Sequence, residues 1–330
     1  MMTIVDLHAH PLLDRLYVVP DAGTRCPAPS CPFGKRLGFD ALARGQVSVV
    51  VSSLYPAWSP RRGSAYLTTC REILTAVESH LAEHSGGAAV ATEPADIDRA
   101  LTQGKIAFVH AVEGGHVLEG RVENLDRLYQ WGVRSLTLTH FVNNDIAASA
   151  FDPRRRLPGR DGLTPLGHEV VSRMNALGMV IDLAHCSAQA FWQVMELTGQ
   201  PVIVSHTGVR HFVPREICLS DEQLKALARN GGVVGIILSS LWLKRYRLAA
   251  GIEDLVDNIL YVCNLAGADC IGIGSDFNGT PAVRGVATAG DFPRIAARLS
   301  AAGLPDDDVA KIMGGNFLRL FRQVGRGEAG

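Results

Sequence analysis

Residues 3–11 read TIVDLHAHP, a short apolar run that ends in two histidines spaced by one residue. In a β-strand successive side chains point to opposite faces, so His8 and His10 are predicted to share one face with Asp6. Two imidazoles that point the same way from the end of a buried strand are suited to hold a metal ion. Two hydrogen-bonded histidines at a strand end are the simpler alternative, and the rest of the chain bears on the choice.

Seven further runs rich in Val and Ile alternate with segments of helical period, a pattern typical of alternating strands and helices. The eight predicted strands are 3–9, 47–54, 106–113, 135–140, 179–185, 201–206, 232–238 and 271–276. Helices are predicted at 64–84, 122–131, 165–177, 187–198, 220–230, 252–267, 291–302 and 305–324. Most of the strands are apolar throughout, as expected of parallel strands covered on both faces. The order predicts an α/β fold closed as a (β/α)8 TIM barrel, with an open doubly wound sheet as the alternative.

The 330 residues are interpreted as one barrel domain, 1–330, because no repeat or linker marks a boundary and such barrels often reach this length. Two connections are long, at about 11–46 after the first strand and 141–163 after the fourth. Both follow the carboxyl end of a strand, where barrel enzymes build their active sites.

Charge and composition exclude several classes of partner. With 32 basic and 33 acidic residues the net charge is −1, so no overall field favours nucleic acid or an anionic membrane. No apolar stretch approaches the roughly 20 residues that a bilayer-spanning helix needs, and no basic, apolar and cleavage regions precede the first strand. Seven cysteines, an odd number, indicate free thiols. We therefore expect a cytoplasmic protein without nucleic-acid or membrane partners.

Ionisable residues gather at the predicted carboxyl ends of the strands. The set comprises His8, His10, Glu113, His140, His185, His206 and Asp276. Each residue alone is interpretable as a hydrogen-bonded polar group or a turn residue. Together they would be a costly group at the mouth of an apolar core unless they bound something. The pattern therefore predicts a metal site on one rim of the barrel.

Imidazole nitrogens and carboxylate oxygens are suitable ligands for zinc. Glu113 has two oxygens and could bridge two ions, with His8 and His10 on one ion and His185 and His206 on the other. Two ions about 3.5–4 Å apart lower the pKa of a shared water and supply a metal-bridged hydroxide near neutral pH. Such a set predicts a hydrolase of the metal-dependent type.

The remaining residues of the rim have predicted catalytic roles. Asp276 would accept the proton of the attacking water and return it to the leaving amine. His140 would hydrogen-bond the carbonyl oxygen as it becomes an oxyanion. A nucleophilic pair of Ser205 and His206 is excluded, because neighbouring residues on a strand face opposite ways.

Longer segments resemble the membrane dipeptidase (renal dipeptidase) family of metallopeptidases within the amidohydrolase superfamily. They are HAVEGGH at 110–116, SLTLTHFVNN at 135–144, GLTPLGHEVVSRMNALGMVIDLAHCS at 162–187, PVIVSH at 201–206, IGIGSDFNG at 271–279 and MGGNFLRLF at 313–321. The resemblance implies a zinc-dependent barrel with two Zn²⁺ per chain that acts on dipeptides and often forms a homodimer. It implies the same five metal ligands and the same two catalytic residues.

The sequence departs from that family's pattern at two positions. The opening motif of the family usually reads His-x-Asp, whereas this chain has His10, a neutral ligand that should make the site more positive. The family also places an arginine in the loop after the sixth strand to bind the substrate carboxylate, and Ile217 stands there in this chain. Arg215 and Arg210 are the candidate substitutes, and Asn278 is a further candidate substrate-binding residue.

Two alternatives stay open at this point. One is another metal-dependent amidohydrolase that acts on an N-acyl amide, a lactam or a lactone, because a dipeptide without a bidentate partner for its carboxylate loses an important contact. The other is a non-catalytic barrel that binds metal. The presence of both Asp276 and His140 favours an enzyme, since a structural metal site needs neither residue.

Overall fold

The computed structural model of this chain describes residues 2–11, 17–18, 25–26, 36–58, 65–245 and 250–325. Eight parallel strands form a closed barrel: β1 (Ile4–Ala9), β2 (Val47–Leu54), β3 (Ile106–Glu113), β4 (Val133–Thr137), β5 (Val180–Asp182), β6 (Ile203–Thr207), β7 (Val233–Ile237) and β8 (Ile271–Gly274). Each strand pairs with the next, and β8 pairs with β1 through Ile273 and Asp6. This last pairing confirms the (β/α)8 barrel, because an open sheet would leave both of those edges free.

The α-helices of the described residues are α1 (Phe39–Arg44), α2 (Tyr66–Glu83), α3 (Pro94–Thr102), α4 (Glu123–Gln130), α5 (Pro165–Leu177), α6 (Ala188–Leu197), α7 (Asp221–Arg229), α8 (Ser240–Leu243), α9 (Ile252–Ala266), α10 (Phe292–Ala301), α11 (Asp306–Ala310) and α12 (Asn316–Val324). Every predicted helix is present and begins within two residues of its predicted start. The additional helices α1, α3 and α8 are four to nine residues long, too short to show a helical period in the sequence.

The predicted single helix at 305–324 is interrupted. A π-helical turn, Lys311–Gly315, separates α11 from α12, and Gly314 has non-helical backbone angles. The backbone of β1 approaches closely at this point: a Cβ on Gly314 would lie 2.5 Å from the Thr3 carbonyl oxygen and 2.7 Å from Val5 Cγ2. The helix is therefore broken where it meets the first strand.

Two apolar cores hold the barrel and its helices together. Alternate strand residues, such as Val5, Val49 and Val109, fill the barrel interior and pack with Phe317 and Phe321 of α12. A second, larger core lies between the barrel and the surrounding helices. Because α12 packs with residues near the amino ends of the strands, the carboxyl ends are left to form the site.

Two short strand pairs accompany the barrel. Ala88–Val90 pairs with the first half of β3, and Tyr17–Val18 pairs with Arg25–Cys26. The second pair belongs to the predicted long loop at 11–46, of which more than half lies outside the described residues. In the parts of the chain that are described, no helix combines the length and apolar character required to cross a bilayer.

Candidate metal centre

The carboxyl ends of the strands bring the predicted ligands together. His8, Glu113 and His206 lie in β1, β3 and β6, and His10 follows β1 directly. The strands β4, β5 and β8 end earlier than predicted, so the other residues of the set lie just beyond them, in loops: His140, His185 and Asp276. The loops nevertheless return these side chains to the same rim.

Glu113 lies at the centre of this cluster. Its Oε1 is 3.1 Å from His185 Nε2, and it is 3.6 Å from the Nε2 atoms of both His8 and His206. Its Oε2 is 3.6 Å from His10 Nε2. One carboxylate thus faces both histidine pairs, which is the arrangement that a bridging ligand requires.

The donor atoms fit a pair of zinc ions. The Nε2 atoms of His8 and His10 are 3.3 Å apart, and those of His185 and His206 are 2.9 Å apart. Zinc binds nitrogen at about 2.0–2.1 Å, so two nitrogens on one tetrahedral ion stand about 3.3 Å apart. These four histidines and Glu113 are at most 8% exposed, which leaves the converging donor atoms away from bulk water.

Burial and the charge of Glu113 set the protonation states. Burial opposes the charge of Glu113, but His140 and His8 outweigh it and hold the pKa of the Glu113 carboxyl well below its usual range. Burial also opposes a proton on His8, yet the Glu113 carboxylate raises the pKa of His8 to about 9. Burial lowers the pKa of His140 to about 3 and that of His206 well below its ordinary value. Metal ligands must be deprotonated, so a bound cation competes with the proton on His8.

An extra residue in β1 turns its histidines toward Glu113. From Asp6 to Ala9 the strand advances three residues while β2 advances two, as in a β-bulge. The Asp6 carboxylate accepts hydrogen bonds from the backbone and hydroxyl of Ser275 instead of joining His8 and His10. The prediction that Asp6 shares their face is therefore wrong.

A similar extra residue occurs in β6. From Val204 to Thr207 this strand advances three residues while β7 advances two. Consecutive side chains then meet, and Ser205 Oγ lies 2.9 Å from His206 Nδ1, which contradicts the prediction that the two face opposite sides. The nucleophilic pair stays excluded for another reason, because the Ser205 hydroxyl donates its proton to Asp182 Oδ2 at 2.6 Å.

Three residues of the site have left-handed backbone angles: His185 (φ 65°), Asp276 (φ 51°) and Asn278 (φ 71°). His, Asp and Asn adopt this conformation more readily than other non-glycine residues, and such strain is common in functional sites. The residue after Asn278 must be small, because a Cβ on Gly279 would collide with the Asp276 carboxylate and would lie 3.2 Å from His10 Cδ2. This turn holds Asp276 Oδ1 3.3 Å from His10 Nε2.

Aromatic side chains that were not predicted border the cluster. The Phe141 ring lies 3.8 Å from the His140 ring, and the Phe151 ring lies 5.6 Å from that of His185. Trp242 packs 5.9 Å from Phe151. Phe141 and Phe151 come from the predicted long loop at 141–163, where Phe141 is 54% exposed. Phe141, Phe151 and Trp242 therefore form an aromatic wall beside the site, and this wall is open to a ligand.

The two candidate arginines differ in what they contact. Arg210 binds its own loop, since its Nε donates to the Cys218 carbonyl at 3.0 Å and its Nη2 to the Glu216 carbonyl at 3.1 Å. The Arg215 guanidinium lies 5.3 Å from the centre of the Trp242 ring, at the end of the aromatic wall. Of the two, Arg215 is the one that contacts an aromatic side chain near the cluster.

Asn278 is 2% exposed and joins two segments of the rim. Its amide donates to the His10 carbonyl at 2.9 Å, and its oxygen accepts from the Arg36 backbone at 3.1 Å. The structure thus gives Asn278 a supporting contact behind His10, a predicted metal ligand, and substrate binding by Asn278 stays a prediction.

A closed parallel barrel with histidine pairs around one buried glutamate defines the class of this protein as a metal-binding (β/α)8 barrel. The sequence profile of the membrane dipeptidase family, peptidase family M19, matches residues 3–329. The chain therefore belongs to that family, which confirms the resemblance seen in the sequence.

Individual relatives agree with this assignment. Dipeptidase tcpJ of Claviceps purpurea is 34% identical over 230 residues, which are 69% of this chain and 53% of that protein. The chain spans about half the length of the curated relatives it matches.

Solved structures share the fold. The probable dipeptidase PvdM from Pseudomonas aeruginosa has a TM-score of 0.84 at 24% identity, over 98% of this chain and 96% of that one. A metallo peptidase from Rhodobacter sphaeroides, liganded with a phosphinate mimic of L-Ala-D-Ala, has a TM-score of 0.82 at 20% identity, over 98% and 99%. Both structures share the fold.

Proposed function

We propose that this chain is a zinc-dependent dipeptidase that hydrolyses the amide bond of dipeptides with two Zn²⁺ per chain. The observation that carries the proposal is the position of Glu113, whose two oxygens lie 3.1–3.6 Å from Nε2 atoms of both histidine pairs. Membership of the membrane dipeptidase family supports the choice of substrate class.

His8 and His10 would hold one ion and His185 and His206 the other, while Glu113 would bind both. When bound, the zinc pair lowers the pKa of water and so supplies hydroxide at neutral pH. The low pKa of Glu113 keeps its carboxylate charged, as a bridging ligand must be.

Asp276 and His140 complete the proposed reaction. Asp276 Oδ1 lies 3.3 Å from His10 Nε2, and its side chain is 16% exposed, so it borders the metal centre and can reach a substrate. Asp276 would take the proton of the attacking water and transfer it to the leaving amine. His140 is neutral at pH 7, because burial lowers its pKa to about 3, and it would donate an N–H to the developing oxyanion.

The substrate carboxylate needs a cationic partner, and Ile217 cannot supply one. A cavity of about 230 Å³ lies in the loops after β6 and β7 and is lined by Val213, Pro214, Arg215, Leu241, Lys244 and Arg245. Three of these residues are cationic, although Lys244 is paired with Asp254. We therefore assign carboxylate binding to Arg215, which also contacts the aromatic wall through Trp242.

Replacement of Arg215 by glutamine is expected to raise KM for dipeptides by about 10–100-fold, because a charge-assisted pair contributes about 1.5–3 kcal/mol. The value of kcat should change little, and KM for a dipeptide amide without a carboxylate should not change. Steady-state kinetics with matched acid and amide substrates check this. Arg229→Gln, at an exposed position in α7, is the control. An equal rise in KM for both substrates would remove Arg215 from the carboxylate site.

The proposed function is tested by zinc analysis and by a substrate panel with the wild-type chain. We expect about two zinc ions per chain, cleavage of dipeptides including L-Ala-D-Ala, loss of activity after chelation, and recovery on addition of zinc. Cleavage of N-acyl amino acids, lactams or lactones without cleavage of dipeptides would establish the alternative amidohydrolase. Bound zinc without hydrolysis of any substrate would establish the non-catalytic barrel.

The homodimer and the cytoplasmic location stay predictions, as does the absence of nucleic-acid and membrane partners. Light scattering of the purified chain and fractionation of cells that produce it would test the first two.

A further inference from the structure

A buried carboxylate that has no part in the predicted site lies directly behind the metal centre. Asp182, the last residue of β5, is 2% exposed. Its Oδ1 accepts hydrogen bonds from the backbone N–H groups of Ser205 at 2.9 Å and Ala184 at 3.0 Å. Its Oδ2 accepts from the hydroxyls of Thr137 and Ser205, both at 2.6 Å. Because four donors surround the carboxylate, the direction of every one of these hydrogen bonds is fixed.

The Ser205 hydroxyl connects this carboxylate to two metal-binding histidines. Ser205 Oγ lies 2.9 Å from His206 Nδ1 and 3.3 Å from His8 Nδ1. A hydroxyl has one proton and two lone pairs, and the proton of Ser205 is given to Asp182. Both imidazoles must therefore donate from Nδ1, which leaves the Nε2 atom that faces Glu113 as the metal-binding atom of each ring.

We propose that Asp182 and Ser205 are positioning residues of the metal centre, which fix the tautomer and ring orientation of one histidine from each half of the site. His8 belongs to the pair with His10, and His206 belongs to the pair with His185. A single hydroxyl thus supports both halves. The inference rests on the metal binding of the proposed function and does not depend on which substrate is cleaved.

The other two histidines of the site are supported differently. His10 Nδ1 lies 3.3 Å from the carbonyl oxygen of Ser53. Among the residues that the structure describes, His185 Nδ1 has no hydrogen-bond partner. Within the described part of the chain, a side-chain hydroxyl therefore lies behind His8 and His206 and behind neither of the other two histidines. Removal of a hydrogen-bond partner behind a metal ligand typically weakens metal binding by about 10–100-fold.

The experiment measures the dissociation constants of both zinc ions, without substrate, by competition with a chromophoric chelator. In Ser205→Ala both constants are expected to rise, by about 10–100-fold for the more affected ion. The larger change should occur at the His185/His206 ion, because Ser205 is nearer His206 than His8. Visible spectra of the Co²⁺-loaded protein should change as well, since they report the ligand geometry.

Ser52→Ala is the matched control. Ser52 lies in β2, and its buried Oγ has no partner among the described residues, so its removal should leave both zinc constants within about twofold of wild type. Thermal unfolding of the metal-free proteins checks that each variant is folded.

Asp182→Asn provides the second variant, because its amide would donate to Ser205 Oγ and redirect the serine proton. It should weaken zinc binding, and adding it to Ser205→Ala should have less than the additive effect, as expected of residues that act as one unit. Three results would overturn the inference. They are unchanged zinc dissociation constants in Ser205→Ala, weaker binding of only one of the two ions in that variant, or additive effects of the two substitutions in the double variant. Wild-type chain that takes up no zinc would instead refute the proposed function itself.

Discussion

Replacement of Glu113 by glutamine is expected to lower kcat/KM for a dipeptide by about a thousandfold or more, or about 4 kcal/mol at 1.4 kcal/mol per tenfold change. Bound zinc should fall below one ion per chain. Glu113 is the carboxylate that faces both histidine pairs at 3.1–3.6 Å, and an amide of the same shape has one oxygen and no charge. Loss of this single charge should therefore affect both ions together.

Zinc analysis and kinetics on the same preparations check this prediction. Glu113→Asp, which keeps the charge on a shorter side chain, should fall between the wild type and the glutamine variant. Glu123→Gln removes the same charge at an exposed position in α4 and should behave as wild type. A glutamine variant that retained both zinc ions and its activity would show that Glu113 does not bridge them.

The strands could be predicted because their sequence signal is local. The runs at 47–54 and 106–113 are reproduced to the residue by β2 and β3, since each is rich in apolar residues and has no helical period. The run at 179–185 ends earlier, at Asp182. Its carboxylate accepts the N–H groups of Ala184 and Ser205, and these side-chain bonds end the regular pairing of the strand. Only the folded chain shows which N–H groups reach that carboxylate.

The contacts behind the histidine cluster could not be predicted, because they depend on how neighbouring strands pair. The extra residue at Ser205 is recognised only when β6 is compared with its neighbour β7. It places the Ser205 carbonyl against Gly235 and Gly274. A Cβ on Gly235 or Gly274 would collide with that carbonyl oxygen. The glycines are visible in the sequence, but their meaning appears only once β6, β7 and β8 are known to be adjacent.

The aromatic wall was missed for a related reason. Phe141 and Phe151 lie in a long loop without a periodic pattern, so their side chains could not be assigned to a face. The loop is held to the site by backbone contacts, such as the Ala150 N–H donating to the His185 carbonyl at 2.8 Å. Histidines and carboxylates at strand ends can be picked out by their chemistry, whereas the apolar contacts of a loop require the structure.

Replacement of Asp276 by asparagine separates proton transfer from metal binding. We expect kcat to fall by about 10²–10⁴-fold, the usual contribution of a general acid or base, while about two zinc ions stay bound. Asp276 Oδ1 lies 3.3 Å from His10 Nε2, and Asp276 is not one of the five proposed ligands, so the variant keeps the proposed ligand set. Asparagine is the suitable replacement because it also adopts the left-handed backbone that this position requires.

Zinc content and kcat must be measured on the same samples, because their ratio distinguishes the two roles. If Asp276 were itself a zinc ligand, metal and activity would fall together in Asp276→Asn, and restoring excess zinc would recover part of the rate. If it carries the proton, excess zinc recovers nothing. Asp145→Asn, an exposed carboxylate in the loop after β4, should match the wild type in both measurements. Full activity in Asp276→Asn would mean that another group moves the proton, and His140, buried with a pKa of about 3, could not accept it at pH 7.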